Sequence, residues 1–162
     1  SAAEQKLLST LQNQEKTINF ALQAAEVLNY LHHLDPPIIH RDLSPDNLVL
    51  DNEGNLKVID FGASNEFVGT ATGTLIGKQA YMAPEQIRGK ATPASDVYAL
   101  GATIYYLLTG KEPKPLTPAH PKVLAPEVSD ELDALVVKCT AFEPEERVKT
   151  AQAVIDMLKS IQ

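Results

Sequence analysis

Three short strings hold the residues of this chain best suited to chemistry. They are His40-Arg41-Asp42 with Asn47 five residues past Asp42, Asp60-Phe61-Gly62, and Ala83-Pro84-Glu85. Carboxylates and an amide oxygen are hard ligands for a divalent cation, provided that the chain gathers them. A candidate β-hairpin would do so: Asn47 stands at one end and Asp60 at the other, so pairing of its strands returns both to one edge. Taken singly, each aspartate has a plainer reading, Asp42 as a turn or cap residue and Asp60 as a solvated strand end.

The hairpin is legible in Asn47-Leu48-Val49-Leu50, the turn-rich Asp51-Asn52-Glu53-Gly54-Asn55, and Leu56-Lys57-Val58-Ile59. Upstream, Ile18, Leu22, Ala25, Leu28 and Leu31 recur at helical spacing, which predicts a helix from Thr17 to Leu34 stopped by Pro36-Pro37. Lys6 to Gln12 has room for a short helix before it. From Phe61 to Ala80 the chain is rich in Gly, Thr and Ala without a sustained period, the pattern of a long ordered or switchable loop. Ser95 or Asp96 is expected to cap a helix that runs to about Leu108, is apolar on nearly every face and ends at Gly110. Five prolines fall in the sixteen residues from Lys111 to Pro126, which argues for an extended surface segment without regular helix. Two helices close the chain, Asp130 to Thr140 capped by Ser129 and Ala151 to Ile161 capped by Thr150. The fold class expected from this order is α+β, mainly α.

The 162 residues are 44% apolar, enough for one domain with a real core. A formal net charge of −7 and a pI near 5.0 leave no broad basic surface, so neither nucleic acid nor an anionic membrane is an expected partner. Cys139 is the single cysteine; it can make neither an intramolecular disulfide nor a cysteine-based metal site, and its helical pattern marks it as a core residue. The longest apolar stretch, Val97 to Thr109, falls short of the roughly 20 residues that span a bilayer and reads as a buried helix. The composition suits a reducing cytosol, so a cytoplasmic location is expected, compatible with a membrane anchor elsewhere in a parent protein.

HRDLSPDN, DFG and YMAPEQ, in that order and spacing, together resemble the protein kinase family of the eukaryotic, Ser/Thr type, with a bacterial flavour. The resemblance runs from near Thr17 to the end and takes in DVYALG on the apolar helix and Glu145-Glu146-Arg147. It implies a kinase C-terminal lobe whose hairpin carries the catalytic and metal-binding loops. Catalysis in that family is chiefly positioning and charge neutralisation around a transferring γ-phosphoryl group. By resemblance, Asp42 accepts or orients the substrate hydroxyl proton, Asn47 and Asp60 hold Mg²⁺ on the ATP phosphates, and Val49 lies under the adenine ring. The substrate implied is a protein. Asp96 is expected to accept hydrogen bonds from the backbone around His40 and Arg41. His40 and Phe61 would pack in the apolar interior, and Glu85 would pair with Arg147. Arg41 would face a phosphorylated loop threonine, with Thr70, Thr72 and Thr74 as candidates.

Two positions depart from the family pattern together. Ser44 stands where a lysine is usual and Lys78 where a threonine is usual, so the two types have changed places. If those positions are neighbours, Lys78 supplies the catalytic ammonium from across the cleft and Ser44 the hydroxyl. The alternative is an exposed Lys78 and a weakened homologue acting as a regulatory binding module. A small-molecule phosphotransferase is disfavoured by Ala83-Pro84-Glu85. The sequence contains neither a GxGxxG string nor a VAIK-like lysine strand, the parts of the family's smaller lobe, so residues 1–162 are expected to form the larger lobe alone and to be inactive in isolation.

Overall fold

A computed structural model describes Ala2, residues 14–58 and residues 79–162. The element order is α1 (Gln14–His32), β1 (Leu48–Leu50), β2 (Leu56–Val58), α2 (Pro84–Ile87), α3 (Pro93–Thr109), α4 (Pro121–Leu124), α5 (Asp130–Cys139) and α6 (Ala151–Ile161). Short 3₁₀ turns stand at Pro45–Asn47, Gln79–Tyr81 and Pro144–Glu146. The described part is thus mainly helical with one small sheet, as expected. Lys6 to Gln12, Ile59, Asp60 and residues 61–78 lie outside the described residues.

Helix α3 is the axis of the core. It is buried almost throughout, from Ser95 through Leu107 except for Tyr105, and α1, α4, α5 and α6 all pack on it. A helix that is apolar all round has no other stable place. Its start differs from the expected Ser95 or Asp96: the N-cap is Thr92, and Pro93 follows it in the first turn. Proline's fixed φ and missing N–H suit that position, so the helix begins nearly a turn earlier. Ser95 then accepts the Thr92 N–H at 3.0 Å, and Asp96 is left to serve another segment. Gly110, at φ 74°, closes the helix in the left-handed conformation.

Gly101 lets α5 approach α3 closely. A Cβ built there would stand 2.6 Å from the Cys139 Cβ and 3.1 Å from Thr140 Cγ2. Gly101→Ala is therefore expected to destabilise the protein by about 1–3 kcal/mol, because this overpacking outweighs alanine's better helix propensity. A lower urea midpoint at unchanged slope would show it; an unchanged midpoint would contradict the close contact. Cys139 itself is fully buried, and burial pushes its thiol up to about 12, so it is an inert core residue, as the sequence suggested.

The hairpin is antiparallel, with Leu48 opposite Val58, Val49 opposite Lys57 and Leu50 opposite Leu56. Asp51 closes its turn: its Oδ1 accepts the backbone N–H of Glu53 at 2.9 Å and of Asn55 at 2.8 Å, with Gly54 at φ 82°. Helix α1 fixes the hairpin through Gln23, which donates to the Gly54 carbonyl at 3.2 Å and accepts the Leu56 N–H at 2.9 Å. Helix α1, described as Gln14–His32, is already helical at Gln14 and ends two residues before the predicted end.

The proline-rich segment corrects the expectation of no helix. Pro121–Leu124 forms one helical turn, because proline is tolerated at the first helical position and Asp133 accepts the Lys122 N–H at 2.9 Å. Ser129 and Thr150 cap α5 and α6 as predicted, accepting the N–H of Leu132 and Ala153. Among the described residues no helix is long and apolar enough to cross a membrane.

Candidate active site

The loop from His40 to Asn47 connects α1 to the hairpin, and its geometry is set by side chains from distant elements. Asp96, in the first turn of α3 and 1% exposed, uses both carboxylate oxygens on the loop. Oδ2 accepts the His40 N–H at 2.8 Å and Oδ1 accepts the Arg41 N–H at 3.0 Å. This is the contact the sequence resemblance implied. A charge-assisted pair of this kind holds the chain more firmly than neutral hydrogen bonds would.

Two further grips complete the hold. The Asp42 N–H donates to His40 Nδ1 at 3.1 Å, which requires that ring nitrogen to be the acceptor. Asn47 donates through Nδ2 to the Asp42 carbonyl. With its amide N–H turned inward, Asn47 keeps its amide oxygen as the atom able to meet a cation. Asn47 is the last residue of the 3₁₀ turn Pro45–Asn47, not the first of the strand as read from the sequence; its N–H returns to the Ser44 carbonyl at 3.0 Å. Pro45 at the start of that turn accounts for the shift.

The structure therefore brings Asp42, Ser44 and Asn47 onto one short loop. Asp42 is half-buried, while Ser44 and Asn47 are buried. Val49 lies two residues on, exposed on the hairpin between the more buried Leu48 and Leu50. Asp60 and Lys78 fall outside the described residues, so neither the convergence of Asp42 with Asp60 nor the Ser44–Lys78 exchange receives a geometry. Phe61, Thr70, Thr72 and Thr74 lie outside them as well. Among the described residues no three His, Cys, Asp or Glu side chains gather as a metal site. Asn47, an amide ligand, fits a magnesium-bearing nucleotide only if Asp60 completes the set.

Sequence reasoning missed two contacts. His32, at the end of α1, places Nε2 at 2.8 Å from Asp96 Oδ2, adding a third partner to that carboxylate. Gln86, buried in α2, donates through Nε2 to the Arg41 carbonyl. Neither was foreseeable from local pattern, because the partners lie 64 and 45 residues away. Arg41 Nε is buried with no hydrogen-bond partner among the described residues.

Glu85 and Arg147 form the predicted ion pair, and both side chains are buried. The Arg147 guanidinium donates from Nη1 to Glu85 Oε2 at 2.6 Å and from Nη2 to Oε1 at 3.0 Å. Its remaining donors meet the carbonyls of Ala94, Ala141 and Phe142, and its plane lies 5.1 Å from the Tyr98 ring centroid. Burial works to raise the Glu85 carboxyl's pKa, but hydrogen bonds from Arg147 and Ser95 outweigh it and hold the group below its ordinary value.

A mainly helical body whose central helix grips a loop bearing an aspartate and an asparagine, beside a small hairpin, is the arrangement that the sequence resemblance implied. The protein kinase domain model matches residues 3–158, and the chain belongs to the protein kinase family. It is 37% identical over 164 residues to the tyrosine-protein kinase MasK of Myxococcus xanthus, covering 86% of this chain and 25% of that protein. It is 38% identical over 148 residues to the serine/threonine-protein kinase PknA of Nostoc (82% and 26% covered). With the serine/threonine-protein kinase PrkC of Bacillus subtilis the identity is 35% over 161 residues (84% and 25%). The chain spans about a quarter of the length of these relatives.

Proposed function

We propose that residues 1–162 are the C-terminal lobe of a protein Ser/Thr kinase whose full-length parent transfers the γ-phosphoryl group of ATP to a protein hydroxyl. The observation that carries this reading is the grip on the loop around Asp42: Asp96 holds the His40 and Arg41 N–H groups while Asn47 holds the Asp42 carbonyl. Such preorganisation is what positioning a hydroxyl for in-line transfer needs. In this reading Asp42 takes or orients the hydroxyl proton, Asn47 and Asp60 hold Mg²⁺, and Val49 lies under the adenine. Magnesium would neutralise charge on the phosphate oxygens. The family membership and the names of the Nostoc and Bacillus relatives support it.

Ser/Thr specificity is proposed from Leu43-Ser44-Pro45-Asp46, against the tyrosine-kinase name of the Myxococcus relative. The full-length protein, given ATP, Mg²⁺ and a generic protein substrate, is expected to yield phosphoserine and phosphothreonine. Predominant phosphotyrosine would refute the assignment. Residues 1–162 alone should transfer nothing, since the sequence holds no glycine-rich phosphate loop and no strand lysine.

Lys78 is proposed as the catalytic ammonium and Ser44 as its hydroxyl partner. In the same assay, Lys78→Met should lower kcat at least tenfold. The exchange Ser44→Lys with Lys78→Thr should recover much of that loss. Full activity of Lys78→Met would sink the exchange and leave Asp42 untouched.

A further inference from the structure

Arg41 is one of two described non-glycine residues at positive φ, at 71°. For an L-residue that conformation is disfavoured and persists only where neighbours hold it. The peptide after it leads directly into Asp42, so the orientation of that peptide sets where the Asp42 carboxylate points. Its N–H end is held by His40 Nδ1 at 3.1 Å. Its carbonyl end is held by Gln86 Nε2. A carbonyl oxygen can only accept, so the Gln86 amide must present its NH₂ side.

The surroundings explain why Gln86 can do this. Glu85 and Gln86 are consecutive on α2, and Ser95 and Asp96 are consecutive on α3. One member of each pair joins the two helices, through Ser95 Oγ donating to Glu85 Oε2 at 2.7 Å. The other member of each pair reaches the loop: Asp96 takes the Arg41 N–H and Gln86 gives to the Arg41 carbonyl. Arg147, bound to Glu85 in a bidentate pair, anchors the assembly from the C-terminal side. The left-handed residue before Asp42 is therefore clamped from both of its peptide groups by one rigid frame. Gln86 itself is only 6% exposed, and an amide in that position has no solvent to turn to.

We infer that Gln86 is a positioning residue for the phosphoryl transfer proposed above: it fixes the Arg41–Asp42 peptide and thereby aims Asp42, without touching substrate. The inference rests on that reading of Asp42. Loss of the donor removes the Gln86 hold on the Arg41 carbonyl, and the left-handed peptide can then rotate.

The test is made in the full-length protein. Gln86→Met keeps volume and removes the donor. It is expected to lower kcat about tenfold or more while the KM for ATP stays within about twofold, because the loss falls on aiming and not on nucleotide binding. Amide hydrogen exchange at Arg41 and Asp42 should quicken by about tenfold while exchange in α3 and α5 is unchanged. A purely structural role would instead quicken exchange across the core and lower kcat only in step with the folded fraction, and that result overturns the inference. Unchanged kcat also overturns it. If Gln86→Met does not fold, Gln86→Glu keeps the shape and offers the Arg41 carbonyl only lone pairs when ionised; the same kcat loss at constant KM is expected, and unchanged kcat overturns. Asp42→Ala in parallel separates the two failures: if that variant still transfers phosphate, the reading of Asp42 has failed and not the clamp.

Discussion

Asp42→Ala in the full-length protein is expected to lower kcat by about 10²–10⁴-fold, the range over which a positioned acid–base group contributes. The KM for ATP should change little, because Asp42 is assigned to the hydroxyl and not to the nucleotide. The grips described on residue 42 run through its backbone, the N–H to His40 and the carbonyl from Asn47, and alanine keeps both. A melting curve of the variant separates a loss of chemistry from a loss of folded protein. Transfer at the parent's rate by a folded Asp42→Ala protein would remove the enzymatic reading and favour a regulatory binding module on the same fold. An equal loss in kcat and in melting temperature would mean instead that residue 42 supports the loop.

The largest effect on stability is expected at Arg147. Its side chain is fully buried, and its guanidinium is bound to Glu85 and to three backbone carbonyls. Arg147→Met would leave the Glu85 carboxylate buried with Ser95 as its described side-chain donor. An uncompensated buried charge costs about 3–5 kcal/mol, a large share of the ~5–15 kcal/mol that holds a domain together. Urea unfolding should show the loss as a lower midpoint. Replacing both partners, Arg147→Met with Glu85→Leu, should recover part of it, since no charge is then stranded. An unfolding free energy within about 1 kcal/mol of the parent for the single variant would contradict the buried pair.

The same pair sets a pH dependence whose sign is fixed by Glu85. Its folded pKa lies below the ordinary value of 4.5, so the unfolded chain binds the proton more readily. The pair's contribution is fully present above about pH 4.5 and is lost as the pH falls through the lower, folded value. Acid unfolding should therefore begin on that side, and Glu85→Gln should flatten this part of the stability profile.

Much of the candidate site was legible in residue order. HRD with Asn47, and APE with Arg147 far downstream, pointed to the loop, its aspartate and the ion pair through the family resemblance, and the structure holds the ion pair. Asp96 was placed on the loop backbone, where the structure has it. Local signals were less dependable where proline was involved. Pro93 starts α3 a turn earlier than the Ser95 reading, Pro45 turns Asn47 out of the strand, and Pro121 opens a helical turn in a segment read as extended. In each case the same property, a fixed φ without an N–H, breaks a helix in its interior and begins one at its first residue. Packing around the proline selects between these two outcomes.

The family, the hydrophobic helix that becomes the core, the caps of the last two helices and the identity of the acid–amide loop could all be read from residue order, because they are encoded by residue type at short spacing. How the Arg41–Asp42 peptide is held became visible once the chain was folded. The contacts of His32 with Asp96 and of Gln86 with the Arg41 carbonyl join segments 64 and 45 positions apart. Hydrogen bonds of that reach leave no periodic trace in a sequence, since any residue with a donor or acceptor can fill them once packing has brought the backbones within about 3 Å.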